Sequence, residues 1–306
     1  MSRLLSPSSE NLQIARAHLL AGGLVVFPTE TVYGIGALAT CDDAVLRIYR
    51  LKNRPIDKPL ALHSIDAADV WTYVEKTTPA CLLADAFWPG PLTLILKRRP
   101  GTCLDHTMAL KGDTLATHVV RHPAATALIK GLGLPLMATS ANASGFLSPV
   151  NAADVIASFP QEKGLLVLDG GKTAFCIEST IIDLTQEEAR VLRYGAISRE
   201  EIEACLGSSV LPLEARPLES CSFALRLNAE TPSPEEAFLA FGPVEGDLSC
   251  AAFLNLSPSG NLEEASRNLF SMLKRLKASE ASGIAVAPIP FYGLGAAINE
   301  RLMKFR

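Results

Sequence analysis

Gly22-Gly23-Leu24-Val25-Val26-Phe27-Pro28-Thr29-Glu30-Thr31-Val32-Tyr33-Gly34-Ile35-Gly36 is the stretch that decides how the chain is read. Two glycines end what precedes them, and four apolar residues follow as a buried-looking strand. Two hydroxyls, a carboxylate, a phenol and two glycines then crowd into what reads as one turn. Loops that leave strand ends are where ligands sit in α/β sheets. An ordinary glycine-rich turn competes with that reading, because glycines at two-residue spacing are weak evidence of nucleotide binding.

Upstream, Ser-Pro-Ser-Ser introduces a helix from about Glu10 to Leu20, with Leu12, Ala15 and Leu19 on one face. Downstream, strands and helices interleave. A helix is expected from about Asp43 to Leu51, strands near 59–63, 92–97, 115–120, 135–140, 165–169 and 179–184, and helices after Pro123 and Asn151. A helix near Ser198–Leu206 opens on Ser-Arg-Glu-Glu, an N-cap with an acidic first turn, and Gly207 closes it. This mixing predicts an α/β layered fold with a mixed sheet in a first domain, residues 1–206. Residues 207–235 are proline-rich without a sustained period and read as a linker. Residues 236–306 read as a small second α/β domain: a strand in 251–256, an amphipathic helix from Asn261 to about Ala278, a strand in 283–289 and a closing helix from Gly295 to Phe305.

The 306 residues are 48% hydrophobic and 20% charged, which excludes a disordered chain. Lys+Arg number 28 and Asp+Glu 32, a net charge of −4, so a protein that coats nucleic acid through a general basic field is excluded while a local cationic pocket is not. No run of about 18 uncharged apolar residues exists, and the start MSRLLSPSSE lacks a signal-peptide core. The chain is read as cytoplasmic, with no membrane partner. Its seven cysteines are scattered and never spaced as C-x-x-C, so neither a disulfide framework nor a zinc site is expected.

Two further segments concentrate chemistry. Lys52-Asn53-Arg54-Pro55-Ile56-Asp57-Lys58-Pro59-Leu60 places three cations within seven residues, stiffened by two prolines. Cations can merely complement a helix C-terminus, but a stiffened cluster suits a polyphosphate. Ala138-Thr139-Ser140-Ala141-Asn142-Ala143-Ser144-Gly145 offers four hydrogen-bonding side chains in six residues, more than a turn or cap uses. Arg121-His122-Pro123, Glu178-Ser179-Thr180 and Arg193 border other strands, and polar clusters at so many strand ends imply one shared cleft. Gly170-Gly171-Lys172-Thr173 lacks the first glycine of a phosphate-binding loop, and Gly293-Leu294-Gly295 lacks the third glycine of a dinucleotide site.

PTETVYGIG, the K-x-R pair followed by KPL, the S-x-N of TSAN, and IESTIIDL with VLR-GAIS together resemble the YrdC-like family of threonylcarbamoyl-adenylate synthases over about residues 8–206. FGP, NLSPSGNLEEA and GLGAAINERL resemble the C-terminal domain of that family's long form. The resemblance implies a twisted mixed sheet around a concave cationic cavity, plus a small Rossmann-like C-terminal domain. It implies a nucleotidyltransferase that takes L-threonine, bicarbonate and ATP, with Mg²⁺ accompanying ATP and no tightly bound cofactor or protein-held metal. The product, threonylcarbamoyl-AMP, feeds the threonylcarbamoyl modification of adenosine in tRNA, with a possible contact to tRNA or its modification machinery.

By this resemblance Lys52 and Arg54 are catalytic and, with Lys58, contact the ATP phosphates. Thr117, Ser140, Asn142, Ser148 and Arg193 complete the nucleotide side. Arg121 grips the threonine carboxylate, and Thr31, His63, Thr139 and Ser179 surround the rest of the amino acid. Three departures stand out. The family's linker His-Tyr-Ala-Pro element has no counterpart in Ser220–Arg226, Tyr194 replaces a proline after Arg193, and His118 is a polar insertion in an apolar strand. The missing element suggests an alternative, a YrdC-like module that binds RNA or nucleotide without synthesis; a further alternative is a related enzyme that handles carbamoyl-adenylate, although nothing in the chain resembles the acylphosphatase or zinc-binding extensions expected of it.

Overall fold

The computed structural model describes residues 2–104, 112–162, 164–214, 224–246 and 248–304. Its elements are β1 (Arg3–Leu5), α1 (Ser9–Leu20), β2 (Val25–Pro28), β3 (Tyr33–Leu38), α2 (Asp42–Lys52), β4 (Ala61–Ser64), α3 (Ala67–Val70) and α4 (Thr78–Phe87). Then come β5 (Leu92–Lys97), β6 (Thr114–Val119), α5 (Pro123–Leu132), β7 (Leu136–Ser140), α6 (Ala152–Ser158), β8 (Leu166–Leu168), β9 (Thr180–Asp183), β10 (Arg190–Arg193) and α7 (Arg199–Leu206). The last six are β11 (Leu225–Arg226), β12 (Ala237–Ala240), β13 (Ala252–Asn255), α8 (Leu262–Lys277), β14 (Ile284–Val286) and α9 (Leu294–Lys304).

Local chemistry accounts for the helix ends. Ser8 caps α1 by accepting from Asn11 N–H, His122 caps α5 ahead of Pro123, and Asn261 caps α8. Helix α7 carries the reciprocal Ser198/Glu201 capping box and stops at Gly207 in the left-handed conformation.

Ten strands form one mixed sheet in the order β1-β8-β2-β3-β7-β4-β6-β5-β9-β10. The β2–β3 and β3–β7 pairs are antiparallel, β4–β6 and β5–β9 parallel. Side chains alternate between the two faces of each strand. On one face Val26, Ile35, Leu62, Leu94, Leu115, Val119, Met137 and Ile182 join Ile48 of α2, Leu83 of α4 and Ile202 of α7 in the largest core. On the other, Val25, Phe27, Leu136 and Leu168 pack with Leu12 and Leu19 of α1 and Leu128 of α5. Farther along that second face lie His63, Thr93 and His118, in register on neighbouring strands.

The turn expected to run on through Gly36 ends at Val32, and Tyr33–Leu38 is a strand. Its glycines make room for a ring: a Cβ on Gly36 would lie 2.9 Å from Cε1 of Phe27, and one on Gly34 3.4 Å from Cε2.

A second sheet, wholly parallel, has the order β11-β14-β12-β13. Its first strand, Leu225–Arg226, comes from the stretch read as linker, while residues 215–223, which hold most of the expected lid segment, lie outside the described residues, as does the Phe305 end of the closing helix. The core of this sheet with α8 and α9 is continuous with Val32, Leu147, Val150, Cys176 and Ile177 of the large unit. No helix among the described residues is long and apolar enough to cross a membrane.

Candidate active site

Strand alternation decides which candidates face the cleft. Along β6, Leu115, Thr117 and Val119 take the core side, where Thr117 Oγ1 donates to the Leu94 carbonyl at 3.0 Å. Thr117, expected on the nucleotide side, is therefore turned away from the cleft, because parity and not polarity sets its direction. His118 takes the opposite face. It pairs in register with His63 of β4 and Thr93 of β5, and the two imidazole rings lie 5.0 Å apart. By the same alternation Ser140 of β7 shares the His63 face, whereas Thr139, half-buried opposite Ile35, lies on the Met137 side.

The 29–32 turn is tied internally. Thr29 Oγ1 accepts from the Thr31 and Val32 N–H groups, donates to the Val32 carbonyl and lies 2.9 Å from Thr31 Oγ1. Glu30, 3% exposed, reaches across the face: Oε1 is 2.9 Å from His118 Nε2 and Oε2 accepts from Arg121 N–H at 2.9 Å. Burial opposes its charge, but the hydrogen bonds it accepts from His118 and the Arg121 N–H hold its carboxyl below the usual range. Arg121 thus meets this cluster through its backbone, and its side chain is exposed.

Burial pushes His63 down to about 3, so the ring is neutral. Its Nδ1 lies 3.0 Å from the Ala61 carbonyl, which can only accept, so Nδ1 carries the proton and Nε2 is left as an acceptor. Thr93 Oγ1 contacts both His118 Nδ1, at 3.2 Å, and Ser179 Oγ, at 2.8 Å. Arg193 donates through Nη2 to Ser179 Oγ at 2.8 Å and through Nε to the Ser179 carbonyl at 2.9 Å.

At the other end of the cluster, Lys52 ends α2 at 1% exposure and donates from Nζ to the Ser140 and Asn142 carbonyls. Burial, with Arg54 adding to it, drives Lys52 down to about 7. Asn53, left-handed at φ 50°, turns the chain so that Arg54 donates back to the Lys58 and Pro59 carbonyls at 2.9 Å each. Arg193 falls to about 10 through burial and then the positive charge of Arg301, and Arg54 is close enough to add to the push. Cations from three parts of the chain thus converge and repel, as an anion site requires. In the 140–144 loop, Asn142 Oδ1 and Ser144 Oγ are buried with no hydrogen-bond partner among the described residues, which is where a ligand would supply one.

Ser148 Oγ donates to Glu178 Oε1 at 2.7 Å, so it is bound to a site neighbour instead of facing open space. Glu178 Oε2 meets Arg301 Nε of α9 at 2.6 Å. Glu300 Oε2 and Arg301 Nη2 grip the backbone N–H and C=O of Tyr194 at 2.7 and 2.9 Å. Glu178 resists the burial penalty because Arg301 and Arg193 hold it at about 2.

Glu30, Thr93, His118, Glu178 and Arg301 all belong to this cluster without having been read as site residues. His118 carried a signal, as a titratable group in an apolar strand, and Glu30 another, as the carboxylate of a polar turn. Thr93 in LTLILK and Arg301 on a distant helix carried none. The rejected Gly170-Gly171 pair is held by the Tyr33 hydroxyl, which accepts from Gly170 N–H at 3.0 Å and donates to the Gly171 carbonyl at 2.8 Å.

A ten-stranded mixed sheet with cations converging near one polar cluster, packed against a small parallel α/β unit, is the architecture of this chain, and its curated relatives are nucleotidyltransferases. Residues 17–195 match the family model described as "Telomere recombination", and residues 214–304 match that of the "Threonylcarbamoyl-AMP synthase, C-terminal domain". The chain is 35% identical to the threonylcarbamoyl-AMP synthase of Pyrococcus abyssi over 96% of its own length and 93% of that protein's, and 41% identical to the Bacillus subtilis enzyme of that name over 66% and 58%. The crystal structure of P. abyssi Sua5 complexed with L-threonine superposes with a TM-score of 0.84 at 30% identity, covering 99% of this chain and 97% of that one. Escherichia coli YciO superposes at 0.56 and 25% identity, over 64% and 96%. The chain belongs to the threonylcarbamoyl-AMP synthase family.

Proposed function

We propose that the protein joins L-threonine, bicarbonate and ATP into threonylcarbamoyl-AMP, releases pyrophosphate, and so supplies tRNA adenosine modification in the cytoplasm. The observation that supports this reading is the convergence of Lys52, Arg54 and Arg193 near the Thr93, Ser179 and His118 cluster, an arrangement suited to a polyphosphate beside a small amino acid. The P. abyssi relative binds L-threonine in its crystal structure.

The threonine nitrogen adds to the bicarbonate carbon with loss of water. The resulting carbamate oxygen attacks the α-phosphorus, the bond to the bridging oxygen breaks, and pyrophosphate leaves. The protein's task is to hold two anions in line and neutralise the charge that builds up. Lys52, Arg54 and Lys58 take the phosphates, with Ser140, Asn142 and Ser148 ordering the loop beside them and Arg193 spanning both halves. His63 Nε2, Thr31 and Ser179 offer acceptors to the threonine amine and hydroxyl, Thr139 closes the strand end, and Arg121 draws the carboxylate from the rim. Mg²⁺ arrives on the triphosphate, a binding mode that needs few protein ligands.

Pyrophosphate release measured with threonine, bicarbonate and ATP, each omitted in turn, tests this. Release only when all three are present is expected, and release without threonine contradicts it.

A further inference from the structure

A single hydrogen-bonded chain runs Arg193–Ser179–Thr93–His118–Glu30 beneath the cleft, and its two ends have fixed chemistry. A guanidinium can only donate and a carboxylate can only accept. Arg193 Nη2 donates to Ser179 Oγ at 2.8 Å. Ser179 has one proton, and the only further described contact of its hydroxyl is Thr93 Oγ1 at 2.8 Å, so Ser179 donates to Thr93. Thr93 in turn donates to His118 Nδ1 at 3.2 Å, and His118 donates from Nε2 to Glu30 Oε1 at 2.9 Å. Every proton then has an acceptor, as buried polar groups require. Were Nδ1 protonated, Thr93 would have to accept from it and donate to Ser179, and the Ser179 proton would be left without a described acceptor.

We infer that His118 is a positioning residue: as the neutral Nε2–H tautomer it polarises this chain so that Ser179 presents a lone pair, not a proton, to the substrate pocket. Ser179 therefore recognises an N–H or O–H donor of the amino acid and disfavours an acceptor there. The inference rests on the proposed placement of the amino acid beside Ser179, although the tautomer itself does not.

Two experiments test it separately. Nitrogen-15 NMR of the wild-type protein labelled in histidine reads the tautomer at neutral pH, with His118 assigned by comparison with His118→Gln. One protonated ring nitrogen, Nε2, is expected, and an imidazolium or an Nδ1–H form overturns the inference whatever the protein's activity. Steady-state kinetics read the consequence. His118→Leu removes the acceptor for Thr93, lets the chain reverse, and should raise the threonine KM by about tenfold while the ATP KM moves by less than about twofold. Glutamine keeps one acceptor and one donor, and His118→Gln should hold the threonine KM within about threefold of wild type. Equal losses in His118→Leu and His118→Gln, or a matching rise in ATP KM, overturn the positioning role. Absence of threonine-dependent turnover in the wild type would instead defeat the proposed function and leave the tautomer result standing.

Discussion

Gly195 shows how tightly a single residue can bound the cleft. A Cβ there would lie 2.3 Å from Thr180 N and 2.4 Å from the Glu178 carbonyl, backbone atoms that cannot move without shifting Ser179. Gly195→Ala should cost about 1–3 kcal/mol of stability and weaken threonine binding, read by urea unfolding and calorimetry. Lys52 allows a prediction with a sign. Its ammonium, lowered to about 7 by burial and Arg54, is only partly protonated near neutrality in the free protein. A bound triphosphate favours the charged form and raises that value. ATP binding at pH 7 should therefore take up protons, so binding enthalpies measured in buffers of different ionisation heat should reveal net uptake, and Lys52→Met should abolish it. His63, neutral down to about 3, contributes no titration to activity above pH 5.

At the scale of elements, the K-x-R segment takes its course from where α2 stops. Asn53 adopts the left-handed conformation, and Arg54 ties the chain back on the 58–59 carbonyls. Arg54→Ala removes both the tie and the charge facing Arg193. By analogy with the loss of one oxyanion donor, it should lower kcat/KM by about 2–4 kcal/mol of transition-state stabilisation, while unchanged turnover would reject its assigned role. Elements with strong local signals were legible in the sequence. The reciprocal Ser198/Glu201 cap and Gly207 mark α7, and the unbroken LTLILK run coincides with β5. Strand β3 was not legible, because its two glycines read as turn residues until the Phe27 ring is seen to need their space. Thr117 shows the matching limit: one residue of register separates the core face from the His118 face, and parity is visible only once neighbouring strands are paired.

Across the whole molecule, the small domain meets the candidate site through a cluster of buried contacts from α9. Arg301, 2% exposed, sits on α9 yet bonds Glu178, the neighbour of Ser179, while Glu300 and Arg301 clasp the backbone of Tyr194, the neighbour of Arg193. Such a long-range ionic contact cannot be read from local pattern. Arg301→Met leaves Glu178 charged and buried, which should cost about 3–5 kcal/mol and raise the KM for ATP. The double variant with Glu178→Gln should recover part of the stability, measured by urea unfolding. Glu178 titrates near 2 in the folded protein against 4.5 for a free glutamate. The stabilisation it gives is thus complete above about 4.5 and is lost as pH falls toward about 2, so the domains should stay docked in mild acid.

The proposed activity requires one pocket that seats an amino-acid carbamate beside a triphosphate. Labelled bicarbonate, followed into the nucleotide product by chromatography and mass spectrometry, tests this most directly. Label, threonine and AMP recovered in one molecule is the predicted result. An adenylate of threonine without the label, or AMP alone, would contradict it.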